Sequence, residues 1–571
     1  MDSLKAIQAY INKMTNEVAG MKVLLLDQET TQIISVVYTQ SQLLQKEIYL
    51  IDRIENKREQ MKHLKCIVFL RPTLSSIQYL LQELHEPCFS DYYIYFSNTI
   101  NKSSLERLAE GDSHQVVREV QEYFADFIAV NPGLVSLSIN YPIYTEGPST
   151  WAPMALARAM EGITGMLLAF KKKPLIRYES NSVLARKLAN EYAIQNDGQL
   201  YDFRKPDTPP ILVIMDRRND SVTPLLSQWT YQSMIHELLG ITNGRVDLSK
   251  VKDVRPEMKE IVLNVEHDQF FAKNMYLNLG DLGENIKTFV EEFQVKHNST
   301  KKIESINDMK RFVEDYPEFR KLSGNVSKHV TLVGELSKQI AQNKLLEIGE
   351  LEQSLAISNN HQKDSQLIQQ FLLDPALPNF CKLRLVLLYA LRYEKQPNNQ
   401  LQLFQNLLKQ NGSKDEDIKL VDSLLQYSNN DFRLDPIVSN DFLDKTKNMF
   451  KGLQGVENVY TQHTPRIVNV VNDLIKGKVK DNQYPFLEGS TKDKPQDIFL
   501  FMIGGATYTE SMEIQKLNST TNRIILGGTH IHNSETFLDF IKTNVSEWKE
   551  GDKGVEGQPT NVGVQRSAKV F

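Results

Sequence analysis

Short apolar runs, each followed by sequence with helical periodicity, constrain the fold of this chain more than any other feature. Residues 23–27, 66–70 and 92–96 are runs of this kind. A strand that is apolar on both faces suits a parallel sheet that helices cover on both sides. The first 140 residues are therefore predicted to form an α/β unit around a parallel sheet.

A second α/β unit is expected to begin near Leu134. It contains predicted strands at residues 134–139 and 211–215. Two further apolar runs, at residues 498–503 and 523–526, lie near the end of the chain, and two short strands make a poor sheet by themselves. We expect these two strands to complete the sheet that begins near Leu134.

Between the two parts of this second sheet the sequence changes character. Residues 285–411 contain only three glycines and have the apolar periodicity of amphipathic helices. We therefore predict three domains, with the helical domain inserted into the second. The predicted limits are 1–130 for domain 1, 131–243 and 481–571 for a discontinuous domain 2 whose tail is disordered from about residue 551, and 244–480 for domain 3.

The composition argues against several functional classes. The chain has 571 residues and a formal net charge of −5, whereas a nucleic-acid binder normally carries a basic surplus. Its three cysteines are too far apart in sequence for a metal quartet or a disulfide framework. The longest apolar runs are too short to span a bilayer, so membrane contact is expected only through partners. The lysine run at residues 171–173 suits the C-terminal end of a helix, with a lipid or partner patch as the alternative interpretation.

Enzymatic motifs are incomplete throughout the sequence. Gly504-Gly505 and Gly527-Gly528 each follow a predicted strand, but they fit neither the dinucleotide fingerprint nor the phosphate loop. His236 begins a zincin-like motif in which Gly240 stands where the second histidine is required. No Gly-x-Ser-x-Gly nucleophile elbow is present. We therefore expect no catalytic residue, no cofactor and no metal, and we expect the protein not to be an enzyme.

The stretch at residues 216–240 begins at the end of a predicted buried strand, and its proline is expected to precede a helix. Asp216, Arg217 and Asp220 could form an acid–base group, but such residues at a strand end more often cap helices and pair locally. Its tryptophan and its tyrosine are expected in the following helix, where a large apolar stripe is usually core. The stretch is interpreted as a structural signature made of Asp216, Arg217, Asp220, Pro224, Trp229 and Tyr231.

Several stretches resemble the Sec/Munc-type (SM) family, over about residues 22–541. The similar stretches are 22–27, 38–41 and 69–73 for the family's opening strands and loops, 216–240 for its central signature, and 501–508 and 525–529 for its closing strands. The stretches 37–50, 92–98, 455–463 and 504–508 are similar to the branch that acts at the trans-Golgi network and endosomes. The resemblance implies an α/β, arch-shaped three-domain SM fold, with parallel sheets in domains 1 and 2 and a largely helical inserted domain 3.

The resemblance also implies a function in membrane traffic. SM proteins bind a syntaxin-type Qa-SNARE and template SNARE complex assembly, so this chain is expected to regulate vesicle docking and fusion in trans-Golgi, endosomal and vacuolar traffic. It is expected to be a cytoplasmic monomer held at Golgi and endosomal membranes through SNAREs, with a small-GTPase effector as a further candidate partner. The alternatives are an α/β hydrolase or nucleotide-binding enzyme that uses Asp216 and the Gly-Gly turns, and a generic helical scaffold.

Two binding surfaces follow from the resemblance. The first is a pocket on domain 1 for the N-terminal peptide of the syntaxin. It is expected on a helix at residues 115–130, whose apolar positions are Val117, Val120, Phe124, Phe127 and Val130. The second is a hairpin at the tip of domain 3, facing a central cleft, with expected residues Pro317, Phe319 and Val330. Because proline interrupts a helix, residue 317 is expected to mark either a hairpin that bends and extends or an ordinary turn between helices.

Overall fold

The computed structural model of the chain describes residues 1–195, 201, 203, 204, 206–300, 306–358, 360–429, 431–433, 459–546 and 548, with the side chains of residues 296–300 and 306–319 excepted. The described residues form two mainly parallel sheets, each flanked by helices, and a block of packed helices. In this part of the chain no helix is long and apolar enough to cross a membrane.

The N-terminal region is a five-stranded sheet with helices on both faces. Its elements are α1 (Ser3–Glu17), β1 (Lys22–Leu26), α2 (Gln28–Val37), α3 (Gln40–Gln45), β2 (Ile48–Arg53), β3 (Lys65–Leu70), α4 (Leu74–His85), β4 (Tyr92–Phe96), α5 (Lys102–Gly111) and β5 (Val117–Glu122). All five strands are parallel, in the spatial order β2-β1-β3-β4-β5. Strands β1, β3 and β4 coincide with the three apolar runs that predicted a parallel sheet.

The helices of this sheet begin at polar capping residues directly after the strands. Asp27 Oδ1 accepts a hydrogen bond from the Thr30 amide at 2.8 Å and so caps α2. The other carboxylate oxygen accepts from the Arg71 amide at 2.7 Å and from Ser76 Oγ at 2.9 Å. Because one buried carboxylate satisfies donors from two loops, the end of β1 is held against the loop between β3 and α4.

The second region begins with strands and helices that run to the central signature. Its elements are β6 (Ile128–Asn131), β7 (Leu134–Ser136), β8 (Tyr144–Thr145), β9 (Gly147–Trp151), α6 (Pro153–Ala169), β10 (Leu175–Tyr178), α7 (Val183–Gln195), β11 (Ile211–Asp216) and α8 (Tyr231–Leu238). The helix expected directly after Pro224 begins later, at Tyr231. Residues Thr223–Leu225 form a single 3-10 turn instead, because the Asp220 carboxylate accepts from the Thr223 amide and closes the turn locally.

The middle of the chain is mostly helical. Its elements are β12 (Arg245–Asp247), β13 (Glu260–Val262), α9 (Gln269–Asn274), α10 (Leu279–Thr300), α11 (Ile306–Gln342), α12 (Leu345–Ile357), α13 (His361–Leu373), α14 (Asn379–Tyr393), α15 (Leu401–Gln410), α16 (Asp415–Ser428) and α17 (Arg466–Lys476). Helix α14 lies at the centre of the block, since residues 381–391 are all buried against α12, α13, α15 and α16.

The C-terminal elements return to the second sheet. They are β14 (Asp497–Ile503), β15 (Ala506–Thr507), α18 (Tyr508–Gln515), β16 (Arg523–Gly528), β17 (Ile531–His532) and α19 (Ser534–Val545). The order in the second sheet is β10-β11-β14-β16-β7-β6, parallel except for β6. Strands β14 and β16 therefore lie between β11 and β7, and the sheet is built from two distant parts of the chain.

The helix expected at residues 115–130 is absent, and this prediction was wrong. Residues 117–122 form the edge strand β5, which pairs with β4, and residues 128–131 form β6. The apolar residues of this stretch fit helical spacing by coincidence. Their actual conformation is decided by non-local pairing with β4, which overrides local periodicity.

Candidate partner-binding site

The signature residues Asp216 and Arg217 are buried and fully engaged with their own chain. Asp216 lies at the carboxyl end of β11 and accepts from Ser182 Oγ at 2.6 Å and from the Arg218 amide at 3.0 Å. The Arg217 guanidinium forms a 2.5 Å ion pair with Glu510 and donates to the Gly505 carbonyl at 2.9 and 3.0 Å. These contacts join the end of β11 to the turn that follows β14.

The Gly504-Gly505 turn accommodates side chains of the protein. Both glycines have positive φ, +83° and +91°. A Cβ on Gly504 would lie 2.8 Å from the Arg217 side chain, and a Cβ on Gly505 would lie 2.3 Å from the His532 ring. Side chains therefore occupy the space beside this turn that a phosphate would require, and the glycines are explained by close packing.

Asp220 organises the chain after the strand. Its carboxylate accepts from Thr223 Oγ1 at 2.7 Å and from the Arg466 amide at 3.2 Å. Burial by itself would raise the pKa of Asp220, but His463, Arg217 and the hydrogen bonds from Thr223 hold that pKa below its usual range. The ionised carboxylate thus fixes the 3-10 turn and the start of α17.

The aromatic residues of the signature pack toward the helical block. The Trp229 ring lies 5.1 Å from the Tyr460 ring, and its edge is in close contact with the backbone at Gly349. Pro224 is buried in its 3-10 turn. The signature therefore contributes core residues between the second sheet and the helices, but Trp229 precedes α8 and does not lie in the helix where it was expected.

Tyr231, His329 and Asp268 form a buried hydrogen-bonded chain. His329 Nε2 lies 2.8 Å from Asp268 Oδ2, and its Nδ1 lies 2.8 Å from Tyr231 Oη. Since the carboxylate can only accept, Nε2–H donates to it and Nδ1 accepts from the tyrosine. Burial raises the pKa of Tyr231 well above its usual value, and all three side chains are inaccessible. This hydrogen-bonded group anchors α11 to α8.

A second buried charge cluster joins the signature to the helical block. Arg384 of α14 lies 2.5 Å from Glu352 of α12 and 3.0 Å from Glu237 of α8, and it donates to Ser227 Oγ at 2.7 Å. The three charged side chains are at most 4% exposed. This cluster, which we call the Arg384 cluster, connects three helices from different parts of the chain.

We expect Asp216→Asn to lower the free energy of unfolding by about 1–3 kcal/mol. The amide retains one acceptor oxygen but places a new buried donor where the carboxylate accepts two hydrogen bonds. Urea unfolding of the full chain measures the difference, with Asp207→Asn at an exposed position as the control. A change no larger than that of the control would contradict a structural role for Asp216.

The described residues assemble no metal site. Across the part of the chain that the structure describes, no group of three or more histidine, cysteine or acidic side chains could hold a metal ion. His236, His530 and His532 lie near one another, and burial is the main cause of the lowered pKa of each. They form part of the packing around Gly505 rather than a ligand set.

The structure divides the residues expected for the peptide pocket into two groups. Phe127 is fully buried, and Phe124 and Val130 are half-buried against the core that includes α1. These three cannot form an open pocket together. Val117 and Val120, by contrast, lie on edge strand β5, and the side chain of Val120 is 38% exposed.

Strand β5 and helix α5 flank an apolar surface that sequence analysis only partly identified. Glu122, two residues after Val120 on the same face of β5, accepts a hydrogen bond from the Ile100 amide just before α5. Val120 therefore faces the α5 side of the sheet, where Leu105 is 41% exposed. We call Val117, Val120 and Leu105 the β5–α5 surface. Leu105 was missed because one apolar residue on a polar helix carries little signal.

The turn expected at Pro317 is not there. The backbone of α11 is helical from Ile306 to Gln342, so residue 317 lies inside a helix and not at a turn. The side chains of Pro317 and Phe319 lie outside the described residues. The paired helices are α10 and α11, and Val330 lies on the groove between them.

The α10–α11 groove has a volume of about 420 Å³. Val330 is 45% exposed there, and Lys287 and Glu291 add charge to an otherwise largely apolar lining. The full lining is Ile286, Lys287, Val290, Glu291, Gln294, Val330 and Val333. An apolar seam between two helices with charged residues beside it is suited to a third amphipathic helix.

The sequence profile of the Sec1 family matches residues 22–540. The chain belongs to the Sec1 family. It is 48% identical over 550 residues to vacuolar protein sorting-associated protein 45 of Mus musculus, with 95% of this chain and 96% of the relative covered. The relative of that name in Schizosaccharomyces pombe is 45% identical, with 95% and 99% covered. This membership confirms the SM resemblance inferred from the signature and the strand motifs.

A solved structure gives the same result for the fold. The SM protein Vps45 in complex with the Qa SNARE Tlg2 superimposes with a TM-score of 0.91 at 49% identity, covering 96% of this chain and 99% of that one. The α/β SM fold expected for this Sec1-family chain is thereby confirmed.

Proposed function

We propose that this Sec1-family chain binds a syntaxin-type Qa-SNARE and templates assembly of its SNARE complex in trans-Golgi, endosomal and vacuolar traffic. The observation that carries the proposal is the near full-length similarity to Vps45, which was solved with the Qa SNARE Tlg2. The chain would act at the cytoplasmic face of Golgi and endosomal membranes, where anchored SNAREs hold it. A template lowers the ordering cost that partner helices meet when they assemble alone.

The β5–α5 surface is the proposed site for the N-terminal peptide of the SNARE. Strand β5 is the edge of its sheet, so its outer backbone groups face away from β4. Val120 on that strand and Leu105 on α5 are exposed apolar side chains. A short peptide can bury both side chains while its polar backbone groups meet those of the strand or water.

The α10–α11 groove is the proposed site for SNARE helices. Its apolar lining and helical walls suit an amphipathic helix, and the contact from His329 to Asp268 and Tyr231 holds α11 against the rest of the protein. A partner that occupies both surfaces gains from effective concentration, by a factor of about 10²–10⁴ over either site alone.

We further propose the domain limits 1–130, 131–243 with 481–571, and 244–480, and the absence of enzymatic activity. The support is chemical: Asp216 and Arg217 of the signature, and the hydrogen-bonded group of Tyr231, His329 and Asp268, are buried and paired with the chain's own donors and acceptors. A nucleotide-binding enzyme would be stabilised by its ligand. Nucleotide-dependent thermal stabilisation of the purified chain would therefore favour that alternative.

We expect Val120→Arg to weaken binding of the Tlg2 N-terminal peptide by at least about tenfold. A guanidinium placed in an apolar contact loses hydration without gaining a partner, which costs more than about 1.4 kcal/mol. Isothermal titration calorimetry with the full chain measures the affinity. Leu403→Arg, at an exposed apolar position of α15, is the matched control and should leave the affinity unchanged.

Val330→Glu separates the two surfaces when the rate of SNARE-complex assembly is measured beside the calorimetric peptide affinity. The carboxylate lies in the α10–α11 groove, so the rate of SNARE assembly should fall while peptide affinity stays unchanged.

Equal peptide affinity for wild type and Val120→Arg, with the variant folded, would disprove the peptide site. An unaltered assembly rate for Val330→Glu would favour the generic scaffold.

A further inference from the structure

Three lysine-rich segments that are far apart in sequence meet at one edge of the second sheet. They are residues 171–173, 476–480 and 492–494, which together contain eight lysines and one acidic residue, Asp493. A Cβ on Gly477 would lie 3.8 Å from the Lys494 side chain, and one on Gly489 would lie 3.5 Å from Leu175. The Gly477 contact joins the second and third segments, and the ion pair of Lys172 with Asp497 places the first segment beside the start of β14, three residues after the third. We call the surface that the three segments form the lysine face.

The parallel sheet explains why these segments converge. Strands β10, β14 and β16 begin at residues 175, 497 and 523, and parallel strands begin at the same edge. The segment at 483–487 runs beside β10, with the Leu487 amide donating to the Ile176 carbonyl at 2.9 Å. The segments at 171–173 and 492–494 and the start of the segment at 476–480 therefore lie at the amino-terminal edge of the sheet, opposite the carboxyl ends where Asp216 and Gly504 lie. Lys480 lies farther along, toward the carboxyl end of β10, because its carbonyl accepts from the Gln483 amide at 3.0 Å and the Gln483 carbonyl accepts from the Ser180 amide at 2.9 Å.

The nearby acidic residues offset only part of this positive charge. Asp497 is shared between Lys172 at 2.7 Å and Arg523 at 2.6 Å. Asp481 pairs with Arg177 at 2.8 Å. Every lysine of the three segments except Lys172 is exposed, and the face remains positive in a chain whose formal net charge is −5. The fold thus concentrates positive charge on the lysine face.

We propose that the lysine face docks directly on membranes that contain anionic lipids. Lysine is a hydrated point charge on a flexible stem, and clusters of four to eight such residues attract an anionic lipid surface. The face would add a direct contact to the membrane contact that SNARE partners provide. It would present this edge of the sheet to the bilayer.

The composition of the face favours a membrane over a protein or a nucleic acid. Lysine is depleted from the cores of protein interfaces. Binding of single strands relies on aromatic stacking platforms beside the basic groove, and the three lysine segments contain no aromatic residue. The flanking Phe486 ring is already covered by the Arg177 guanidinium at 3.6 Å. A diffuse array of exposed ammonium groups matches the headgroups of a lipid surface.

The test measures binding of the full chain to protein-free vesicles by co-sedimentation. Wild type should bind vesicles of phosphatidylcholine with about a third phosphatidylserine, should not bind phosphatidylcholine alone, and should dissociate as salt is raised. Neutralising five lysines should reduce the partition coefficient by at least about tenfold. The five substitutions are Lys476→Gln, Lys478→Gln, Lys480→Gln, Lys492→Gln and Lys494→Gln.

The control carries the same change in net charge at exposed lysines elsewhere on the protein. Its substitutions are Lys57→Gln, Lys250→Gln, Lys252→Gln, Lys363→Gln and Lys419→Gln, and its vesicle binding should stay within about twofold of wild type. Failure of wild type to bind the anionic vesicles would overturn the proposal. So would equal losses in both variants, binding that salt does not weaken, or binding to single-stranded RNA in place of vesicles. Because the vesicles hold no SNARE, these outcomes are independent of the proposed SNARE function.

Discussion

Arg384→Met should lower the free energy of unfolding by about 3–5 kcal/mol, because it leaves the buried carboxylates Glu352 and Glu237 without their counter-ion. The guanidinium forms ion pairs at 2.5 and 3.0 Å with these groups and also donates to the Leu225 carbonyl at 3.2 Å. Methionine replaces the bulk of the side chain but none of the donors. Urea unfolding of the full chain, followed by circular dichroism, measures the loss.

A compensated variant separates the charge effect from simple loss of packing. Adding Glu237→Gln and Glu352→Gln to Arg384→Met removes the uncompensated charges and should recover a large part of the lost stability. Arg118→Met is the control, since Arg118 is an exposed partner of Asp91 and solvent screens an exposed ion pair, so its loss should change stability little. A loss below 1 kcal/mol for Arg384→Met would show that the Arg384 cluster does not hold these helices together.

Lowering the pH from 6.5 to 4 should destabilise the protein by about 3 kcal/mol through His236 alone. Burial, and then the proximity of His530, lowers the pKa of His236 to about 4. In the unfolded chain its pKa returns to about 6.5. Between these values the unfolded state binds the proton and the folded state does not, so stability is present above pH 6.5 and is lost toward pH 4.

The measurement compares the pH dependence of wild type with that of His236→Gln. Glutamine can still accept from the Ile241 amide, as His236 Nδ1 does at 3.0 Å, but it does not titrate. The effect of His236 is taken as the difference between the two pH profiles, because other buried groups also titrate. Burial raises the pKa of Glu237 and Glu510, so their protonation stabilises the folded state as the pH falls. His63→Gln, at an exposed site, is the control. If wild type and His236→Gln lose stability in parallel, His236 is not the titrating group.

The strands of both sheets were largely predictable because a strand buried on both faces leaves a continuous apolar run. Strands β4, β11 and β14 differ from the predicted runs by at most one residue. Edge strand β5 was not predictable in this way. Its exposure alternates between half-buried and exposed, and its apolar residues also fit helical spacing, so only pairing with β4 decides its conformation.

The surfaces were less predictable than the fold for a related reason. Val117 and Val120 were found by their apolar character, but the same argument selected Phe127, which is fully buried. Sequence periodicity identifies an apolar face without indicating which element covers it. The partners of Arg384 lie 32 and 147 residues away, so no local pattern could have indicated the cluster.

The strand order of the second sheet also determines when this protein can finish folding during synthesis. Strand β11 ends at residue 216, but its neighbour β14 begins only at residue 497. Strand β7 likewise has no partner on one side until β16, at residues 523–528, has been synthesised. A nascent chain therefore holds two open apolar strand edges while the whole helical block emerges from the ribosome. Such edges invite aggregation. A premature stop anywhere before β16 would leave this sheet unclosed, and holdase chaperones that cover β11 and β7 should matter most during that interval.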